Sequence, residues 1–276
     1  MVSRFVPGGM TLSGPPRRSP WVFVGLTFVL SVPFWAIGAL SGRQLTADLP
    51  VSSFIWVCPG IAAALLVYRE DGGAGVRSLL RRAFDWARIP SPGWFVAIIL
   101  LPPAVYGLTH TVMRAQGLPL PAVQFSLLAA LGWFLGFFVA GEAEELGWSG
   151  YALDPLQARW GALGAGLLLG LIWVVFHAVP LVQHGRAPVW IAWWALSTVA
   201  FRVLVVWIYN NTGQSVFAAA LFHALTNLSW IGPFLDFGPA GYPLAAQRIS
   251  ALILAGMAAL VVVAWGPRTL ARFRLG

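Results

Sequence analysis

Two adjacent carboxylates, two histidines and an asparagine sit inside apolar runs: Glu144-Glu145 in AGEAEELGWSGY, His177 in IWVVFHAVP, and His223 with Asn227 in LFHALTN. Ionisable side chains are costly at hydrocarbon depth, so in a membrane chain they face a bundle interior where they bind or react. An enclosed carboxylate is suited to taking a proton from water and returning it to a leaving group, the work of general acid–base catalysis. Apolar Leu146 and Trp148 follow the pair directly, which keeps it within the membrane. Glu142 reads equally well as a contact to headgroups. His223 and Asn227, at i and i+4, share one helix face. They can donate hydrogen bonds to a developing oxyanion, the histidine can bind a metal, or both can join helices as polar residues do in lipid. His177, with Trp173 one turn before it, reads on its own as a hydrogen-bonded structural group. Arg202 is a further charge inside an apolar run, about 12 Å from the nearer end at the helical rise, and its expected partner is one of the glutamates in a supporting role.

The elements that must position these groups are membrane helices. Hydrophobic residues make up 59% of the chain and charged ones only 9%, with a mean hydropathy of +0.78; an ordinary soluble domain has about a quarter charged residues. The fold class is therefore all-α, a polytopic membrane bundle. Apolar runs of crossing length recur at about 21–40, 52–68, 93–109, 125–146, 161–182, 189–209, 215–231 and 249–266, which predicts eight spans. Pro59 and Pro102-Pro103 interrupt the second and third without excluding helices. The expected organisation is a disordered cytoplasmic tail over 1–20, one transmembrane domain over 21–266 with its motif-bearing core at about 125–230, and a basic cytoplasmic tail over 267–276. The first span exceeds the apolar length of a signal peptide and reads as an anchor. The substantial segments outside the membrane are expected near 69–91 and 232–248.

Arginine supplies all the positive charge, since the chain has no lysine. Arg4, Arg17, Arg18, Arg69, Arg77, Arg81, Arg82, Arg88, Arg159, Arg268, Arg272 and Arg274 fall on one side of the predicted spans, and Arg43, Arg114, Arg186 and Arg248 on the other. By the positive-inside rule both termini are cytoplasmic in a multi-pass protein of the cell membrane. The net charge of +8 then orients the chain and meets anionic lipid. Scattered over loops, these arginines form no basic face, so nucleic acid is not an expected partner. The single Cys58 rules out an internal disulfide and reads as a small buried residue.

Three of these segments resemble motifs of one family, the CAAX prenyl protease and bacteriocin-processing family of intramembrane glutamate endopeptidases. Its EExxxR appears here as Glu144-Glu145-Leu-Gly-Trp-Ser149, its WxxxH as Trp173 to His177, and its HxxxN as His223 to Asn227. The order is the family's, and each motif falls on its own predicted span over roughly 125–230. The resemblance implies a membrane-embedded endopeptidase in which Glu144, with His177, activates a water, His223 and Asn227 hold the oxyanion, and Glu145 supports the site. It implies a peptide substrate, prenylated or a leader peptide, met in membrane lipid. No cofactor is expected; zinc, if used, would fall to Glu144, His177 and His223, but there is no HExxH. Ser149 stands where the family has arginine, so Arg202 or Arg159 must replace that charge, or the chain is a silent relative acting as a scaffold or immunity protein. A small proton-coupled transporter is the reading from another class.

These readings predict that Glu144, His177, His223 and Asn227 line one polar cavity among the fourth, fifth and seventh helices, open toward the cytoplasm. Counting along the spans raises a difficulty. Glu144 and His223 fall near the cytoplasmic third, whereas His177 is about fifteen residues, or roughly 22 Å, into its helix. The groups meet only if that helix is tilted or starts early.

Overall fold

The structure, a computed structural model, describes residues 18–46, 49–120, 122–123, 126–231, 235–236 and 242–271. Most of both expected tails, 1–17 and 272–276, and part of the expected loop near 232–248 lie outside the described residues. The chain is a helical bundle of α1 (Pro20–Ser41), α2 (Val57–Arg81), α3 (Gly93–Ala115), α4 (Leu127–Gly147), α5 (Asp154–Gln183), α6 (Pro188–Asn211), α7 (Val216–Ile231) and α8 (Leu244–Trp265). Two short antiparallel bridges, Gln44–Thr46 with Leu49–Pro50 and Ala122–Val123 with Leu235–Asp236, tie loops together. Among the described residues, six stretches are long and apolar enough to cross a membrane: Pro20–Ser41, Val51–Phe84, Gly93–Ala115, Leu127–Gln183, Pro188–Asn211 and Leu244–Trp265. The fourth holds two predicted spans in 57 residues, and α7 is shorter. Leu40, Leu128 and Val263 point outward as lipid-facing side chains do.

The helix carrying the glutamates does not stop after them. A π-helical turn, Trp148–Leu153, joins α4 to the first turns of α5. The run breaks only at Gly161, whose φ of 69° lies in the left-handed region open to glycine. Beyond that break the backbone amides of Ala162 and Leu163 are satisfied by the carbonyls of Arg268 and Pro267, at 2.8 and 3.0 Å. This reversal resolves the difficulty of depth. Glu144 precedes Trp160 by sixteen residues, about 24 Å at the helical rise, and His177 follows Ala162 by fifteen, about 22 Å. The carboxylates lie within a longer helical run than the apolar stretch suggested, with Glu144 six residues before the Gly150 carbonyl that Arg82 meets.

The segment after the second span is ordered as well. Gly72, at φ 66°, breaks α2, and the chain continues helically to Arg81 and through short turns at Arg82–Phe84 and Trp86–Arg88. Arg82 reaches into the bundle end and donates to the carbonyls of Gly150 and Gln214 and to the Tyr209 hydroxyl, at 2.9, 2.8 and 2.8 Å. Gly150 lies in the π turn, where the widened spacing frees its carbonyl. Asp85 caps α7 by accepting from the Ser215 hydroxyl and the Phe217 amide at 2.6 and 3.1 Å, which fixes the start of the helix that bears His223.

Small residues allow α2 and α4 to touch backbone to backbone. A Cβ on Gly147 would lie 2.6 Å from the Pro59 carbonyl oxygen, and one on Gly60 2.7 Å from that of Ala143. In lipid such close approach drives helix association where apolar burial cannot. We expect Gly147→Ala to lower the melting temperature in detergent by an amount equivalent to about 1–3 kcal/mol, the usual cost of forced overpacking. Gly107→Ala, with nothing within 4 Å of the added carbon, should leave the melting temperature unchanged or raise it. Equal effects of the two would count against close α2–α4 contact.

Candidate active site

Four helices deliver the predicted polar residues to one place. Glu144 and Glu145 come from α4, Trp173 and His177 from α5, Arg202 from α6, and His223 and Asn227 from α7. At the centre is the Glu145 carboxylate, fully buried and gripped on both oxygens. Arg202 Nη1 donates to Oε2 at 2.9 Å and Nη2 to Oε1 at 3.0 Å, a two-pronged pair with each side chain at most 1% exposed. His223 Nδ1 lies 3.1 Å from Oε1. An ionised carboxylate only accepts, so this nitrogen carries the hydrogen. Ser149, one turn later in the π-helical segment, donates its hydroxyl to the same carboxylate.

Glu144 is held differently. Trp173 Nε1 donates to its Oε2 at 2.8 Å, and among the described residues no arginine pairs with it. His177 Nδ1 is 3.1 Å from the Trp173 carbonyl of the preceding turn. That carbonyl fixes the hydrogen on Nδ1 and leaves Nε2 with its lone pair. The Trp173 indole gathers the whole group. Its ring meets those of His177 and His223 edge-on at centroid distances of 5.4 and 5.0 Å, and the Arg202 guanidinium lies over its face at 4.3 Å.

Glu144, His177, His223 and Asn227 share the wall of one cavity of about 330 Å³. Its other walls are largely aromatic, including Trp56, Trp133, Trp194 and Trp230. One feature differs from expectation. Besides α4, α5 and α7, the cavity is bounded by α3, α6 and α8 through Tyr106, Ser197 and Gln247, since the π turn and the long α4 bring the site into the middle of the bundle. It reaches from Glu144 to Trp230 near the end of α7 and Gln247 near the start of α8. Glu142 is buried on α4 and is not part of this wall. Trp173 and Gln247 are the residues that residue-by-residue reading missed as site members. The four-residue spacing of Trp173 from His177 was a signal for the first; for Gln247 the only one was an uncharged polar group in an apolar helix.

The Arg202 pair has a consequence for folding. Removing one partner of a buried pair strands the other charge at a cost of about 3–5 kcal/mol. Arg202→Ala should therefore lower thermal stability in detergent severely, and Ser149→Arg in that background should restore part of it, because position 149 already reaches Glu145. A near-native melting temperature for Arg202→Ala would show that Glu145 does not depend on it.

Comparison with known proteins agrees with the motif resemblance. Residues 125–229 match the family model described as Type II CAAX prenyl endopeptidase Rce1-like. The chain is also similar to CAAX prenyl protease 2 of Methanococcus maripaludis, 25% identical over 236 residues, which cover 77% of this chain and 84% of that protein. Similarity to this protease family thus reaches well beyond the three motifs into the flanking helices.

Proposed function

We propose that the chain is an intramembrane endopeptidase in which Glu144 and His177 activate a water and His223 and Asn227 receive the oxyanion. The observation that carries this reading is the unequal treatment of two adjacent carboxylates. Glu145 is committed to Arg202, His223 and Ser149, whereas Glu144 takes a single neutral donor and borders the cavity. One carboxylate builds the site and the other is left to exchange protons.

Peptide hydrolysis then follows from the positions. A water between Glu144 and the Nε2 of His177 loses a proton to the carboxylate as its oxygen attacks the scissile carbonyl carbon. The oxyanion is met by the Asn227 amide and by His223, which donates from Nε2 when protonated. When the C–N bond breaks, the carboxyl group of Glu144 returns the proton to the departing amine, so the products are an acid and an amine and the enzyme is unchanged. No covalent nucleophile is required.

The reaction is read as metal-free because no three His, Cys, Asp or Glu side chains among the described residues are grouped so as to hold a metal ion. Ser149 and Arg202 together stand in for the motif arginine, which favours a working enzyme over a silent relative. The relative's name makes a prenylated peptide the first substrate to try and a leader peptide the second.

The test is cleavage of a farnesylated CAAX peptide, and separately of a leader peptide, by purified protein in proteoliposomes. Glu144→Gln should keep the native melting temperature and lose at least about 100-fold in rate, the contribution of a positioned base. Full activity in Glu144→Gln would overturn the mechanism. Elemental analysis showing one zinc per active chain, lost in His177→Ala, would replace it with a metal-assisted one.

A further inference from the structure

Gln247, in the first turn of α8, is 2% exposed and lies outside the residues 125–229 that match the family model. Its backbone is engaged: the amide donates to the Pro243 carbonyl at 2.9 Å, and the carbonyl accepts from the Ser250 hydroxyl at 3.1 Å. Its side chain is engaged at one end. Nε2 donates to the hydroxyl oxygen of Ser197 on α6 at 3.0 Å. Ser197 directs its hydroxyl hydrogen at the Trp194 carbonyl, 2.7 Å away, so toward Gln247 it accepts. That order fixes which end of the carboxamide is which. The nitrogen faces Ser197, and Oε1 is buried without a hydrogen-bond partner among the described residues.

A buried acceptor left unpaired is costly, and more so in an apolar surround. To join α6 to α8 the residue needs only its nitrogen, so a packing role leaves Oε1 unexplained. Gln247 and Ser197 both line the candidate active-site cavity, whose wall is otherwise largely aromatic. A peptide entering that cavity loses the water on its backbone N–H groups, and each then needs an acceptor from the protein. Glu144 and the Nε2 of His177 are committed to the attacking water. Ser197 and Thr226 turn their hydroxyl hydrogens back onto carbonyls of their own helices. Gln247 Oε1 is left as a buried amide oxygen with no such duty.

We propose that Gln247 is a substrate-binding residue whose Oε1 accepts a hydrogen bond from one backbone N–H of the bound peptide, with Ser197 holding the carboxamide in that orientation. A contact of this kind reads backbone and tolerates any side chain, with one exception. The residue at that position must carry an N–H, so proline is refused there. The proposal rests on the peptidase reading for the ligand being a peptide, and Gln247 takes no part in the proton transfers.

The test is a binding measurement that needs no turnover. In the Glu144→Gln chain, energy transfer from the tryptophans of the wall to a dansylated, farnesylated CAAX peptide reports its affinity, with unlabelled peptide as competitor. A series of analogues replaces each backbone amide in turn by an ester, which removes one N–H and keeps the shape. One analogue should bind about 3- to 10-fold more weakly than the parent, the factor for one hydrogen bond. Adding Gln247→Met should weaken the parent by the same factor and make that ester and the parent bind equally. Ser197→Ala, which frees the carboxamide to turn, should shrink the difference, and it carries the test alone if Gln247→Met does not fold. Esters that all bind like the parent, or a difference that persists in the Gln247→Met or Ser197→Ala chain, would overturn the assignment. The predicted pattern without cleavage by the unsubstituted chain would sink the peptidase reading and leave the binding role standing. No binding of the peptide at all would overturn both.

Discussion

A carboxylate without access to water has to be compensated where it stands, and in this bundle that requirement falls on Glu145. Both of its oxygens are taken by Arg202, with His223 and Ser149 completing the shell. Isolated, either charge would be expensive in hydrocarbon; together with fitted hydrogen bonds they can be held. The pair therefore joins α4 to α6 and α7 at a fixed depth, and the other site residues take their positions from it. Trp173 packs its face under the same guanidinium while its indole N–H orients Glu144. Among the described residues, α6 is the span most enclosed by protein, as befits the helix that carries the buried cation.

The second constraint is where the chain turns. A helix that ended soon after Glu145 would leave the carboxylates near one membrane face and His177 far from them. Extension through the π turn to Gly161 equalises the two distances. It also leaves the Gly150 carbonyl free for Arg82, so the segment that sets the depth is pinned by an arginine from outside the motif-bearing core. Asp85, three residues further on, caps the helix of His223 and Asn227. One short connection after α2 thus stabilises the end of the α4 run and the start of α7, two of the four helices that carry the candidate residues.

Much of this was legible in the sequence. Hydropathy located the helices, and the motifs singled out Glu144, His177, His223 and Asn227, which line one cavity, and Glu145, which is buried beside it against Arg202 and His223. Arg202 was recognisable as a buried charge in need of an acidic partner. The depth of the site was not legible, because Glu144 lies near the end of its apolar run, and hydropathy cannot tell the end of a run from the end of a helix. Ser149 was read as a gap. In the fold it is a donor to Glu145, and the charge comes from a residue 53 positions later, a long-range exchange that no local spacing reveals.

The exchange of a motif arginine for Ser149 and Arg202 bears on whether the chain retains chemistry or only its shape. A relative kept for its shape would have no need of an ion pair at the centre of its bundle, since apolar residues of similar volume can replace such a pair with little loss or even a gain in stability. Here the pair is complete, and the carboxylate beside it is left with one neutral donor on the wall of a cavity. Two histidines are fixed through Nδ1, which directs the opposite ring nitrogen of each away from its anchor. An arrangement that compensates one carboxylate fully and the adjacent one sparingly is costly as packing. It is economical as a device for moving a proton, which is the physical reason to read the site as working.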